Sequence, residues 1–84
     1  MPKPGRRRHD ADDRRRARHL GDRVRQARER RRLSQQSLAG LAGVSISTLR
    51  KIETAETADP GFFTVSRLAR ALNLELSELV GDIA

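Results

Sequence analysis

The sequence predicts an all-α fold, a compact bundle of five short helices preceded by a flexible basic arm. Apolar residues recur at intervals of three and four along successive segments, and no segment alternates apolar and polar residues as a half-buried strand does. Serines of the kind that cap helices precede two of these segments. A chain of 84 residues without cysteine has neither disulfides nor thiolate metal ligands to support so small a core, so it must rely on well-packed apolar faces.

The N-terminal third begins with the basic arm. Residues 1–9 contain two prolines and a glycine, a composition that predicts flexible chain. We expect residues 1–18 to be partly disordered or a helical extension, and residues 19–84 to form the folded domain. Basic residues at the amino terminus are not followed by an apolar stretch, so no secretory signal is expected.

The first helix is predicted over residues 20–31, with a further turn or two extending back toward Asp13. Aspartates near a helix start interact favourably with the helix dipole, and three of them occur here, namely Asp10, Asp12 and Asp13. The narrow apolar stripe of the helix consists of Ala17, Leu20, Val24 and Ala27. Gly21 weakens the middle of any longer helix.

Two similar stretches, "LSQQSL" and "VSISTL", predict the starts of helices 2 and 3. In each, a serine N-cap lies between two apolar residues that can form a hydrophobic staple. These triplets are Leu33, Ser34 and Leu38, and Val44, Ser45 and Leu49. Helix 2 is expected over residues 35–41 and helix 3 over residues 46–53. The short turn between them contains Gly43, which can adopt a positive φ.

The last two helices follow a polar loop. Asp59 is predicted to cap helix 4 and Pro60 to occupy its first position. The apolar face of helix 4 is expected to contain Val65, Leu68, Ala69 and Leu72, joined by Phe62 or Phe63, with Asn73 just after its end. A fifth helix, capped by Ser77, presents Leu76, Leu79 and Val80, which form either core or a dimer seam, and the seam is favoured.

The charge distribution favours a polyanionic partner. The net charge is +7, and residues 1–32 carry 14 Lys and Arg against 5 Asp and Glu, whereas the remainder carries 4 against 6. A basic segment of this kind suits nucleic acid first and an anionic membrane surface second. Arginine makes up 16 of the 18 cations, which favours bidentate contacts with phosphate or guanine, although a GC-rich genome would give the same excess.

Helices 2 and 3, joined by a tight glycine-containing turn, form a helix-turn-helix unit whose second helix can enter the major groove of DNA. On a helical wheel, Leu49 and Ile52 define the inward side of helix 3. The outward side consists of Ser47, Arg50, Lys51 and Thr54, with Ile46 at its edge. Serine, arginine and lysine can bond base edges or phosphates, and isoleucine matches a thymine methyl group. Packing of Ile46 on helix 2 is the alternative.

This arrangement resembles the lambda-repressor-like, Cro/XRE-type helix-turn-helix family. The similarity lies in "LGDRVRQARERRRLSQQSLAGLAGVSISTLRKIE" followed by "FFTVSRLARALNLELSEL", which together cover most of residues 20–80. The resemblance implies that Gln35 binds a phosphate and braces the recognition helix. It also implies base contacts from Ile46 and Ser47, often joined by Lys51, and an ion pair between helices formed by Arg28 and Glu53.

Two positions depart from the family pattern. Arg32 and Ala55 stand where the family often has glycine, and a left-handed turn at such a residue costs about 1 kcal/mol. In the loop that follows helix 3, Glu56 and Asp59 are acidic and make the loop a poor phosphate clamp.

The function expected from these features is sequence-specific binding of double-stranded DNA by a cytoplasmic transcriptional regulator, more specifically a repressor. It would act as a homodimer on a palindromic operator. Ser34 and Ser45 at the helix starts, together with the arm, would add phosphate contacts. The arginines of the arm are Arg6, Arg7, Arg8, Arg14, Arg15 and Arg16. Solubility is the alternative explanation for these arginines.

The main alternative function is a protein-interaction module, such as the antitoxin of a toxin–antitoxin pair, with secondary DNA binding. A membrane-surface peptide is disfavoured because the apolar stripe of the basic segment is thin. Single-strand binding is disfavoured because the chain has two Phe and no Tyr or Trp to stack on bases. No pattern of catalytic residues stands out, so neither an enzyme, a cofactor nor a metal site is expected.

Overall fold

The computed structural model describes residues 5–57 and 60–81, with side chains from residue 11 onward. It contains five helices: α1 (Gly5–Arg30), α2 (Gln35–Ala42), α3 (Ile46–Glu53), α4 (Phe62–Ala71) and α5 (Leu76–Val80). The described ranges contain no strand. The predicted all-α bundle is therefore confirmed, and the predicted bounds of helices 2 and 3 agree with the structure to within one residue.

A single apolar core lies between the helices. One side of α1 packs on α3 and another on α5, while α2 packs on both α3 and α4. The side chains that are most completely buried are Val24, Leu38, Leu49, Ile52, Leu68, Leu72 and Leu79. Because these residues come from all five helices, every helix is stabilised by side chains that it buries in the shared core as well as by its backbone hydrogen bonds. None of the described helices is long and apolar enough to span a membrane.

Helix α1 is longer than the sequence predicts. It begins at Gly5, so the prediction of a flexible arm is wrong from that residue onward, and the arm is a helical extension there. Asp12 lies two turns inside the helix instead of at its start, and it pairs with Arg15 at 3.4 Å. Ala17 is buried. Arginine and alanine favour helix, and no proline follows residue 4 until residue 60, so nothing interrupts the extension.

Four helices end in the same way: a left-handed residue follows the last turn, and the N–H of the next residue donates to the carbonyl oxygen five residues before it. This is the Schellman motif. The left-handed residues are Arg32, Gly43, Ala55 and Asn73, with φ values of 55°, 72°, 59° and 57°. One of them is glycine and one is asparagine, which adopts this conformation readily, so the strain that a glycine would remove lies at Arg32 and Ala55. The predicted turns at Gly43 and Asn73 are confirmed.

The predicted starts of the last two helices are wrong. Helix α4 begins after Gly61, two residues later than predicted, and the predicted cap, Asp59, lies outside the described residues. Helix α5 begins after Glu75, whose N–H donates to the Glu78 carboxylate at 3.2 Å, so Ser77 lies inside the helix. Glu75 and Glu78 form a capping box, in which the side chain of each glutamate accepts a hydrogen bond from the backbone N–H of the other. This capping box forms in place of the predicted cap by Ser77.

Three apolar residues also differ from expectation. Phe62 and Phe63 do not join the core, since they are 64% and 74% exposed. Their rings pack edge to face, with 5.4 Å between the ring centroids. Both residues occupy the first turn of α4. Leu79 is fully buried, which contradicts its assignment to a dimer seam, whereas Leu76 and Val80 are half-buried and pack against the core.

Candidate DNA interface

Helix α3 presents a polar face to solvent. Its apolar residues Leu49 and Ile52 are buried among the other helices, as the sequence predicts. Ser47, Arg50 and Lys51 are exposed on the opposite side. A helix that is anchored by one face and polar on the other can enter a groove without losing its packing.

At the two ends of the exposed face, the side chains of Ile46 and Thr54 also make contacts within the protein. Ile46 is half-buried and packs against the core, so only part of its side chain remains free for a base. The Thr54 side-chain oxygen lies 2.8 Å from the Arg50 carbonyl oxygen and 2.7 Å from a Glu56 carboxylate oxygen. A hydroxyl has one proton, so it donates to one of these oxygens at a time.

The serine caps form at the starts of α2 and α3. The Ser34 hydroxyl accepts a hydrogen bond from the Ser37 N–H at 2.9 Å, and the Ser45 hydroxyl accepts one from the Thr48 N–H at 3.0 Å. Both serines are exposed. The other N–H groups of a first turn have no partner within their helix, and a helix start of this kind is a favourable position for a phosphate.

A polar cluster of Arg28, Gln35 and Glu53 joins three helices beneath this face. The Glu53 carboxylate accepts hydrogen bonds from Arg28 Nε at 2.7 Å, Arg28 Nη2 at 3.0 Å and Gln35 Nε2 at 3.0 Å. Only 3% of the Glu53 side chain and 13% of the Arg28 side chain are exposed. The predicted ion pair is thus bidentate and shielded, and Gln35 braces the end of α3 directly.

Arg28 is held by a further contact, since its Nη1 donates to the Leu33 carbonyl oxygen at 2.8 Å. The hydrogen bond to Glu53 raises the pKa of the Arg28 guanidinium, and this outweighs the lowering caused by burial. No buried side-chain nitrogen or oxygen is left without a partner among the described residues. The cluster therefore fixes the C-terminal end of α3 relative to α1 and α2.

Gly21 sets the distance between α1 and α3, a role that the sequence analysis missed. A Cβ atom built on Gly21 would lie 2.4 Å from the Ile52 carbonyl oxygen and 3.0 Å from that of Glu53. Real side chains do not approach backbone so closely, so only glycine allows this packing. The available signal was a glycine in the middle of a strong helical pattern, which often marks a close packing contact.

The basic extension lies on α1, outside this cluster. Arg14, Arg15 and Arg16 are exposed, and Asp12 partly neutralises Arg15. Arg6, Arg7 and Arg8 lie within α1, but their side chains lie outside the described residues. No group of three His, Cys, Asp or Glu side chains in the described part of the chain is arranged to hold a metal ion.

Comparison with known proteins identifies this architecture. A family model described as a helix-turn-helix domain matches residues 19–80. The chain belongs to this family. Among solved structures, it is similar to the restriction-modification controller protein C.AhdI from Aeromonas hydrophila, with a TM-score of 0.71 and 32% sequence identity over 75% of this chain and 94% of that one. A comparison with curated proteins gave no significant match.

These comparisons confirm the resemblance to Cro/XRE-type proteins and the prediction that this helix-turn-helix protein is a DNA-binding transcriptional regulator. They do not favour the protein-interaction alternative. The family match begins at residue 19, within α1.

Proposed function

We propose that this regulator binds a palindromic operator as a two-fold dimer, with α3 of each protomer in the major groove. The observation that carries the proposal is the division of α3 into a buried apolar side and an exposed polar side. Ser47 and Lys51 read base edges, and Arg50 and Thr54 contact bases or phosphates at the edge of the groove. The exposed part of Ile46 contacts a thymine methyl group.

Phosphate contacts at the start of α2 position α3 in the groove. Ser34 and Gln35 lie at this helix start, and Ser45 caps the start of α3. Gln35 donates one amide hydrogen to Glu53, so its second amide hydrogen is left to bind a phosphate together with the backbone N–H groups and the serine hydroxyl. The exposed arginines of the α1 extension add sequence-independent affinity along the backbone.

The length of α3 supports a dimer. Eight residues at 1.5 Å each give a helix of about 12 Å, which spans only three or four base pairs. A site this short cannot be distinguished from the many competing sites in a genome. Two copies related by a two-fold axis would read half-sites about 34 Å apart and so define a longer site.

Selection of bound sites from random duplex DNA tests the proposal, and a symmetric consensus is the expected result. Binding of the selected site is then compared for Lys51→Ala and for the control Arg67→Ala, which removes an equal charge from the exposed face of α4. We expect Lys51→Ala to weaken binding about tenfold or more, as for the loss of a base contact. Equal affinities of the two variants would contradict the placement of α3 in the groove.

A further inference from the structure

The end of α3 departs from a pattern that the other helices share. In the Schellman motif, the second residue after the helix cap is usually apolar and packs back onto the helix. At the ends of α1, α2 and α4 this residue is Leu33, Val44 or Leu74, and all three pack against the core. At the end of α3 it is Glu56, which is exposed. Core packing therefore does not explain this residue.

Hydrogen bonds nevertheless fix Glu56 beside the exposed face of α3. The left-handed turn at Ala55 directs the chain back, and the Glu56 N–H donates to the Lys51 carbonyl oxygen at 2.8 Å. The carboxylate lies 2.7 Å from the Thr54 hydroxyl oxygen. Both anchoring residues belong to the exposed set that faces DNA. The negative charge is thus held at one end of the proposed interface.

A carboxylate in this position opposes DNA binding by the exposed face of α3. It adds to the partial negative charge of the α3 C-terminus, and together they repel a DNA phosphate. We propose that Glu56 lowers the affinity of the protein for DNA, because its charge opposes backbone binding at the end of α3 in operator and random duplex alike. This inference rests on the proposed placement of α3 in the major groove.

The inference predicts a gain of affinity when the charge is removed. Glu56→Gln keeps the backbone turn and an acceptor for Thr54, so it should fold like the wild type. We expect it to bind a random duplex about fivefold more tightly, from the loss of one repulsive charge at interfacial distance. The slope of log K against log salt should steepen by up to about 0.9, as for one further phosphate contact.

The experiment measures binding of the wild type, Glu56→Gln and Glu75→Gln to the selected operator and to a random duplex across a salt series. Glu75 lies before α5, which packs on α1 and α4, so the control makes the same change in net charge away from α3. A larger gain in affinity for Glu56→Gln than for Glu75→Gln, on both the operator and the random duplex, supports the inference.

Two results would overturn it. If both variants change affinity equally, the effect is one of net charge and Glu56 has no special role, while the proposed function stands. If the wild type binds neither duplex, the proposed function fails and the inference fails with it. Urea unfolding of each variant shows whether a change in binding reflects a change in folding.

Discussion

Replacing Gly21 by alanine tests the packing that orients α3. The new Cβ would lie 2.4 Å from the Ile52 carbonyl oxygen, whereas carbon and oxygen normally approach to about 3.3 Å. Helices α1 and α3 would have to separate by nearly 1 Å. The atoms in the way are backbone oxygens, which cannot rotate aside, so the cost lies at the upper end of the usual overpacking range of about 1–3 kcal/mol.

Part of this cost is offset locally. Alanine in place of glycine stabilises a helix interior by about 1 kcal/mol. The expected net loss for Gly21→Ala is therefore about 1–2 kcal/mol, which in a domain of this size lowers the Tm by roughly 5–15 °C. Circular dichroism during thermal and urea unfolding measures both quantities. The displaced α3 should also weaken operator binding.

Gly40→Ala is the matched control. Gly40 lies inside α2, and a Cβ built there meets no atom within 4 Å. This variant replaces glycine by a better helix former and introduces no clash, so its free energy of unfolding should rise by about 1 kcal/mol. Opposite signs for the two substitutions are the expected outcome. A Gly21→Ala variant that gains as much stability as Gly40→Ala would show that α1 and α3 do not touch at this glycine.

Three further predictions concern the left-handed turn at Ala55 and the polar cluster. Ala55→Gly removes a side chain from a residue with φ of 59° and should stabilise the fold by up to about 1 kcal/mol in urea unfolding; no gain would mean that the left-handed turn is not populated. Glu53→Ala leaves the shielded Arg28 without its carboxylate and should cost about 3–5 kcal/mol. The double variant with Arg28→Met should recover part of that loss, and strictly additive losses would show that the pair does not interact. Because the raised pKa of Arg28 contributes stability at every pH below the ordinary arginine pKa, loss of that contribution is expected only as the pH rises through the raised pKa.

Helices 2 and 3 could be predicted well because their limits are set locally. Ser34 and Ser45 cap the N–H groups three residues on, and Gly43 ends α2 through its own φ. The start of α1 could not be predicted from the same signals, because a polar, arginine-rich segment matches both a mobile arm and an exposed helix. The start of α5 was predicted wrongly because the sequence offers two suitable N-cap residues, Glu75 and Ser77.

Features of the site that depend on contacts between residues far apart in the sequence were harder to predict. The outward face of α3 follows from the positions of Leu49 and Ile52 on a wheel, so its polar residues could be assigned from the sequence. The ion pair of Arg28 with Glu53 came only from the family resemblance, since 25 residues separate the partners. A glycine inside a helical pattern signals a close packing contact, but only the structure shows that the Ile52 carbonyl oxygen is the partner of Gly21.

The direction in which α3 presents its polar face is therefore set mainly by residues that would not touch DNA. Its N-terminal end is fixed by the Ser45 cap, and its C-terminal end by the hydrogen bonds of Glu53 and the close contact at Gly21. An eight-residue helix has little stability of its own, so a displacement at either end would turn the whole polar face. Substitutions at Gly21 or Glu53 should then reduce discrimination between operator and random DNA as well as stability. Substitution of Lys51 should reduce discrimination while leaving the free energy of unfolding almost unchanged.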